Sequence, residues 1–129
     1  MGVPRKFMQS EIGPAVDIPW SQGIEAIVAA TFTVAVNDIV IVNGRSSSLM
    51  QVRPADADAV LTSRGMLYVA VTAGTAGARI TMVPWRLIAN VDTNGSAVGD
   101  EVFMSNTAGG WSLTAGTITV QVGEVLVVS

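Results

Sequence analysis

Asn37-Asp38-Ile39-Val40-Ile41-Val42 is the stretch that decides the fold: a turn-forming amide, an acid, then four consecutive β-branched apolar residues. An Asp after a turn residue hydrogen-bonds the turn backbone through its side chain. Ile and Val fit a pleated surface better than a helix, where their branched Cβ crowds the preceding turn. A turn residue and an acid before an apolar strand recur in Gly99-Asp100-Glu101-Val102-Phe103-Met104 and in Gly123-Glu124-Val125-Leu126-Val127-Val128. The spacings between the three are unequal, so they mark similar strand starts and not a solenoid repeat.

Working outward, the chain of 129 residues holds 20 Val, 9 Ile and 11 Thr, a β-branched excess that runs from Glu25 to the end. Strands are predicted at Ala26–Ala35, Ile39–Val42, Met66–Thr72, Ala78–Val83, Leu87–Val91, Glu101–Met104, Trp111–Leu113, Thr117–Val122 and Val125–Val128. Turns are predicted at Asn37-Asp38, Asn43-Gly44, Gly74 to Gly77, Asn94-Gly95, Gly99-Asp100, Gly109-Gly110 and Gly123-Glu124. Short strands at such spacing imply an all-β fold, a compact antiparallel β-sandwich or small β-barrel. The one helical candidate is Ala55 to Leu61, with Pro54 as first helical residue and Asp56 in the first turn.

Residues 1–23 differ from the β-rich domain, 24–129. They carry Pro4, Pro14, Pro19 and three glycines, with no sustained period of 2 or 3.6. Proline fixes φ and removes a donor, so an extended N-terminal arm is expected. The arm also holds Phe7, Met8, Ile12, Ile18 and Trp20, an apolar set that must pack over its own domain or onto a partner. No apolar core of a signal peptide follows Arg5 and Lys6, and the charge-free run Ala26 to Val36 is far short of the ~20 residues of a membrane helix. No membrane partner and no export are expected.

Half of the residues are hydrophobic but only 13% are charged, where an average domain has about 25%. Either Ser, Thr, Gln, Asn and Gly solvate the outside instead, or so little charge leaves apolar surface undivided, and the second reading, which is preferred, implies a face covered by copies of itself or by a larger assembly. The net charge of −3 points away from nucleic acid, whose phosphates need a basic face. With no cysteine and no histidine there is no thiolate metal site, no cysteine nucleophile and no imidazole base. An enzyme, a cofactor and a metal site are therefore not expected.

The local candidates for chemistry have plainer readings. Asp56-Ala57-Asp58 supplies too few oxygens for a hard cation and reads as a solvated face. Asp92-Thr93-Asn94-Gly95 faintly resembles a calcium loop, which needs acids or amides at three alternating positions, then glycine, then a distant Glu, but Asn94-Gly95 reads more simply as a tight hairpin turn. Ser46-Ser47-Ser48 has no lysine-serine pair opening a helix, so it reads as a flexible loop. The segment Thr72 to Gly77 joins two strands and is a hairpin loop, not a dinucleotide turn. Trp20, Trp85 and Trp111 are open to three roles: core packing, interface anchoring or ligand stacking.

Val98-Gly99-Asp100-Glu101-Val102-Phe103-Met104, Gly109-Gly110-Trp111-Ser112-Leu113-Thr114 and Val122-Gly123-Glu124-Val125-Leu126 together resemble the end of the small phage capsid decoration, or cement, proteins. That family shows a Gly-Asp-x-Val strand, a glycine hairpin leading into a Thr-rich strand, and a closing Val-Gly-x-Val-Leu. Ala35 to Gly44 resembles its first such strand, with Asn37 where glycine is usual, and the apolar, glycine-jointed run Gly65 to Ala78 also fits. The resemblance implies a structural virion protein on the capsid exterior, assembled in the host cytoplasm. Its partners would be the major capsid protein and itself, as a homotrimer bracing capsomer junctions. The capsid contacts would fall in the arm, at Pro4, Arg5, Phe7 and Met8, with Trp20 as anchor. The alternatives are a carbohydrate- or receptor-binding β-module of a head fibre or tail, using Trp85 or Trp111, and a carboxylate-only hydrolase.

Overall fold

The computed structural model describes residues 23–88 and 95–126. Asn37 and Gly99 hold equivalent backbone positions, with φ of 72° and 92°. Asparagine is one of the few residues that enters this left-handed region readily, so it stands in for glycine there. Asp38 N–H donates to Ala35 O (3.1 Å) while Ala35 N–H donates to Asp38 Oδ2 (2.8 Å). Asp100 and Ala97 repeat both bonds at 3.0 and 2.8 Å. The third predicted start differs. Gly123 and Glu124 lie inside a strand and pair with Val102 and Glu101.

Along the chain run β1 (Ile24–Val28), β2 (Thr33–Val34), β3 (Ile39–Ser46), β4 (Leu49–Pro54), α1 (Val60–Ser63), β5 (Leu67–Ala70), β6 (Gly74–Thr75), β7 (Arg79–Val83), β8 (Glu101–Met104), β9 (Trp111–Ser112) and β10 (Gln121–Glu124). Five of them close into a barrel in the order β1-β4-β3-β5-β7, and β10-β8-β9 form a second sheet. The fold is all-β, as expected. An odd number of strands cannot alternate direction all the way round a closed ring, and the parallel seam falls between β1 and β4, with Ala26 opposite Met50.

The unbroken apolar run of β3 has its reason in this arrangement. Val40 faces the barrel interior with Ala26, Val28, Val52, Ile80 and Met82. Ile39 and Ile41 face the opposite way, into a second core with Ala55, Ala57 and Met104, closed by Trp111 and Val122. A strand covered on both faces has no reason to alternate. The barrel is small enough for side chains alone to fill it.

Several predicted elements move. The run Ala26–Ala35 breaks at a turn in which Phe32 N–H donates to Ala29 O and Thr31 has φ 71°. Asn43-Gly44 is not a turn: β3 passes through it with a bulge, and the hairpin turns at Ser47-Ser48, so those serines form a tight turn and not a flexible loop. β4 was not expected. Leu87 and Ile88 are irregular, and the rest of that predicted strand, 89–91, lies outside the described residues, as do Asp92 to Asn94. The last predicted strands shift: β10 spans Gln121–Glu124, and Val125 instead bonds Asp100 O and Gly99 N–H beside the second turn.

The helix is displaced too. Pro54 ends β4, and only Val60–Ser63 is helical. Residues 55–57 do not wind because the groups a helix would use are bonded elsewhere: Ala57 N–H donates to Ser105 O, Ala55 O accepts from Gly109 N–H, and Ala57 O accepts from Ile118 N–H.

Candidate interaction surface

The expected contact residues Pro4, Arg5, Phe7, Met8 and Trp20 lie outside the described residues, as does the whole arm except Gly23. Three surface features remain to be weighed, each built by a definite local structure.

The first is the loop 56–66. Its organiser is Asp56, which is 8% exposed and not part of a solvated face. Arg53 donates to Asp56 Oδ2 (3.0 Å), while Thr62 Oγ1 (2.6 Å) and Asp58 N–H (3.2 Å) donate to Oδ1. The Arg53 guanidinium also lies 4.4 Å from the Phe32 ring centroid, a cation–π contact. This buried carboxylate holds a loop that presents apolar side chains next to the exposed Asp58 and Arg64: Leu61 is 89% exposed, and Val60 and Met66 are exposed as well. The sequence reading placed Leu61 at the end of a helix. Its exposure was legible only as an apolar residue with no periodic partner.

The second feature is Trp85-Arg86-Leu87, directly after β7. Arg86 Nη1 donates to Asn37 Oδ1 (2.9 Å), tying the segment to the first turn. Trp85 and Leu87 are 62% and 70% exposed. Trp111, by contrast, packs against the second core, so the two tryptophans have different roles.

The third is a groove of about 210 Å³ where the barrel meets the second sheet. It is lined by Ile39, by Leu67 to Val69 of β5, by Pro84, and by Gln121 and Val122 of β10. Its rigidity comes from cross-links between barrel and sheet: Ile39 N–H to Gly109 O (3.0 Å), Gly109 N–H to Ala55 O (2.7 Å) and Ile118 N–H to Ala57 O (2.8 Å).

Asp38 lies at this junction, and burial lifts its carboxyl above the ordinary 3.8 despite the opposing hydrogen bond from Ala35. The folded chain therefore holds this proton more tightly than the unfolded chain. The resulting stabilisation is full below pH 3.8 and is lost as pH rises from there through the raised value. Asp38→Asn keeps an acceptor for Ala35 N–H and removes the titration. Urea midpoints across the acidic range are expected to lose that decline in the variant; parallel profiles for the two proteins would contradict it.

Among the described residues no group of three or more His, Cys, Asp or Glu converges on a point that could hold a metal ion. Among the same residues no helix is long and apolar enough to cross a membrane. Among the described residues the large apolar side chains exposed to solvent include Leu61, Trp85 and Leu87. A scan of protein-family models and searches of curated proteins and of solved structures find nothing that matches this chain.

Proposed function

We propose that the protein is a non-enzymatic structural component of a virion, decorating the outside of a phage capsid and stabilising it by binding across capsomer junctions as a homotrimer. The observation that carries this reading is the apolar surface of a charge-poor barrel: Leu61, Trp85 and Leu87 stand exposed on segments tied down by Asp56 and Arg86. Rigid apolar anchors lose little entropy when they bind, which is how a few residues carry most of an interface. Many copies on one shell would add modest single contacts through avidity. The arm supplies the remaining contacts through Pro4, Arg5, Phe7 and Met8, with Trp20 as its anchor.

Deleting residues 1–20 is expected to lower occupancy on empty capsids by at least tenfold, since losing two or three buried apolar side chains costs more than about 1.4 kcal/mol. Binding is read by co-sedimentation, and unchanged occupancy would remove the arm from the mechanism.

One observation favours a second reading, a glycan- or receptor-binding module. Trp85 presents an open face that Trp111 does not. Glycan binding abolished by Trp85→Ala, in a protein indifferent to capsids, would establish it in place of the first.

A further inference from the structure

We infer that Leu61 of one copy of this chain seats in the groove between β5 and β10 of the next copy, with Arg64 beside it reaching the Glu101–Glu124 pair at the groove's end. This rests on the homotrimer of the proposed function and supplies its contact; it needs no capsid.

Knob and groove are both formed before they meet. Leu61 stands 89% exposed on a loop that the Asp56 carboxylate ties to Arg53, Thr62 and the Asp58 amide. A side chain already held in place loses little freedom on docking. The groove, about 210 Å³, has apolar walls that include Ile39, Leu67, Val69, Pro84 and Val122. It is smaller than the ~300–1,000 Å³ of small-molecule pockets, and its walls belong to the barrel and the second sheet. An apolar knob and a pocket elsewhere on the same molecule make a head-to-tail contact, which passes from copy to copy until a ring closes.

Charge selects the occupant. Glu101 and Glu124 lie directly opposite each other on β8 and β10. Glu124 is two residues beyond Val122 on the same strand, about 7 Å further along it. Both acids are exposed, and neither has an ion-pair partner among the described residues. Like charges facing across a ladder destabilise it. The lone chain therefore carries a repulsion at the end of its groove that an incoming cation relieves.

The matching cation stands next to the knob. Arg64 N–H donates to Val60 O (3.0 Å), closing α1, which sets Arg64 one turn from Val60 and Leu61. Arg64 is exposed, and its side chain also lacks an ion-pair partner among the described residues. Its guanidinium has five N–H donors, enough for both carboxylates. Asp58, the other exposed charge of the loop, precedes α1, whereas Arg64 follows it. Knob and cation thus sit together on one loop, as groove wall and carboxylate do on one strand. A second copy brings both at once.

Sedimentation velocity on the full-length protein, with no capsid present, tests this. The parent chain is expected to self-associate. Leu61→Asp and Gln121→Trp, which fills the groove from its exposed rim, are each expected to weaken association at least tenfold. An equimolar mixture of the two variants is expected to form pairs, because one keeps an intact groove and the other an intact Leu61. Likewise Arg64→Glu and Glu124→Arg chains are expected to bind each other more tightly than either binds itself. All four sites are exposed in the lone chain, and circular dichroism checks that each variant is folded. A parent chain that stays monomeric would overturn the inference, as would association unmoved by Leu61→Asp or by Gln121→Trp. Two weakened variants that do not pair would overturn it too, since Leu61 would then not enter the groove. Charge-swapped chains that bind each other no better than themselves would overturn the choice of a second copy. Each of these failures leaves capsid decoration by single chains standing. Assembled oligomers that ignore capsids would overturn the proposed function and leave this contact in place.

Discussion

Asp56→Ala is expected to melt about 10 °C below the parent protein, the shift that a loss of about 3 kcal/mol produces in a chain of this length. The carboxylate accepts from Arg53, Thr62 and the Asp58 amide, and both partners of the ion pair are mostly buried, at 21% and 12% side-chain exposure. Alanine removes all three bonds and strands the Arg53 charge between Phe32 and Pro54 O, where water reaches it poorly. Removing one partner of such a pair is costlier than the pair's own net worth. Asp56→Asn keeps the acceptor for Thr62 and should cost roughly half as much. Thermal unfolding followed by circular dichroism measures both. A shift within error for Asp56→Ala would mean that the loop 56–66 does not depend on this network, and the rigidity claimed for the Leu61 surface would go with it.

Gly109→Ala is the second large effect, about 3 kcal/mol, and it acts by loosening the second sheet from the barrel. Gly109 has φ 80°, and a Cβ there would lie 2.6 Å from Asp38 Cγ and 2.8 Å from each carboxylate oxygen. Asp38 is held by Ala35 N–H, so it cannot swing aside without losing that bond. Gly109 itself cannot retreat, because its N–H and C=O bond Ala55 and Ile39 on the barrel. The left-handed conformation costs alanine about 1 kcal/mol and the disturbed hydrogen bonds cost the remainder. Gly77→Ala isolates the first part: its φ is 84° with open space around the site, so only about 1 kcal/mol should be lost. Denaturant midpoints should separate the two variants, with faster amide exchange at Ile39 and Gly109 in Gly109→Ala alone. Equal losses would show that the Asp38 contact is accommodated and that Gly109 is not the fastening point.

The regions that could be read without the structure are those whose signal is local. Asn37-Asp38 and Gly99-Asp100 form matching turns because a positive φ and an acid side chain close the same two hydrogen bonds wherever they occur. β8 needed only its own residues, Glu101 to Met104. β4 escaped notice because Gln51 and Arg53 interrupt it and Pro54 ends it, although Met50 and Val52 keep the alternation. The helix lies later than propensity alone favours, because Ser105, Gly109 and Ile118 claim the Ala57 amide and the Ala55 and Ala57 carbonyls that winding at Ala55 would use. Asp56 was misjudged for a related reason: its burial depends on Arg53 and Thr62 folding round it.

The sequence by itself determined an all-β chain, the matching turns at Asn37-Asp38 and Gly99-Asp100, and a composition without cysteine or imidazole chemistry. These follow from properties each residue carries with it: branching at Cβ, tolerance of positive φ, and the presence or absence of a titrating ring. Only the tertiary structure decided that five strands close with one parallel seam, that β3 is covered on both faces, and that Trp111 is packed inward while Trp85 faces out. Those outcomes depend on which distant segment supplies the facing hydrogen bonds and apolar area, and no residue encodes its partner's address locally.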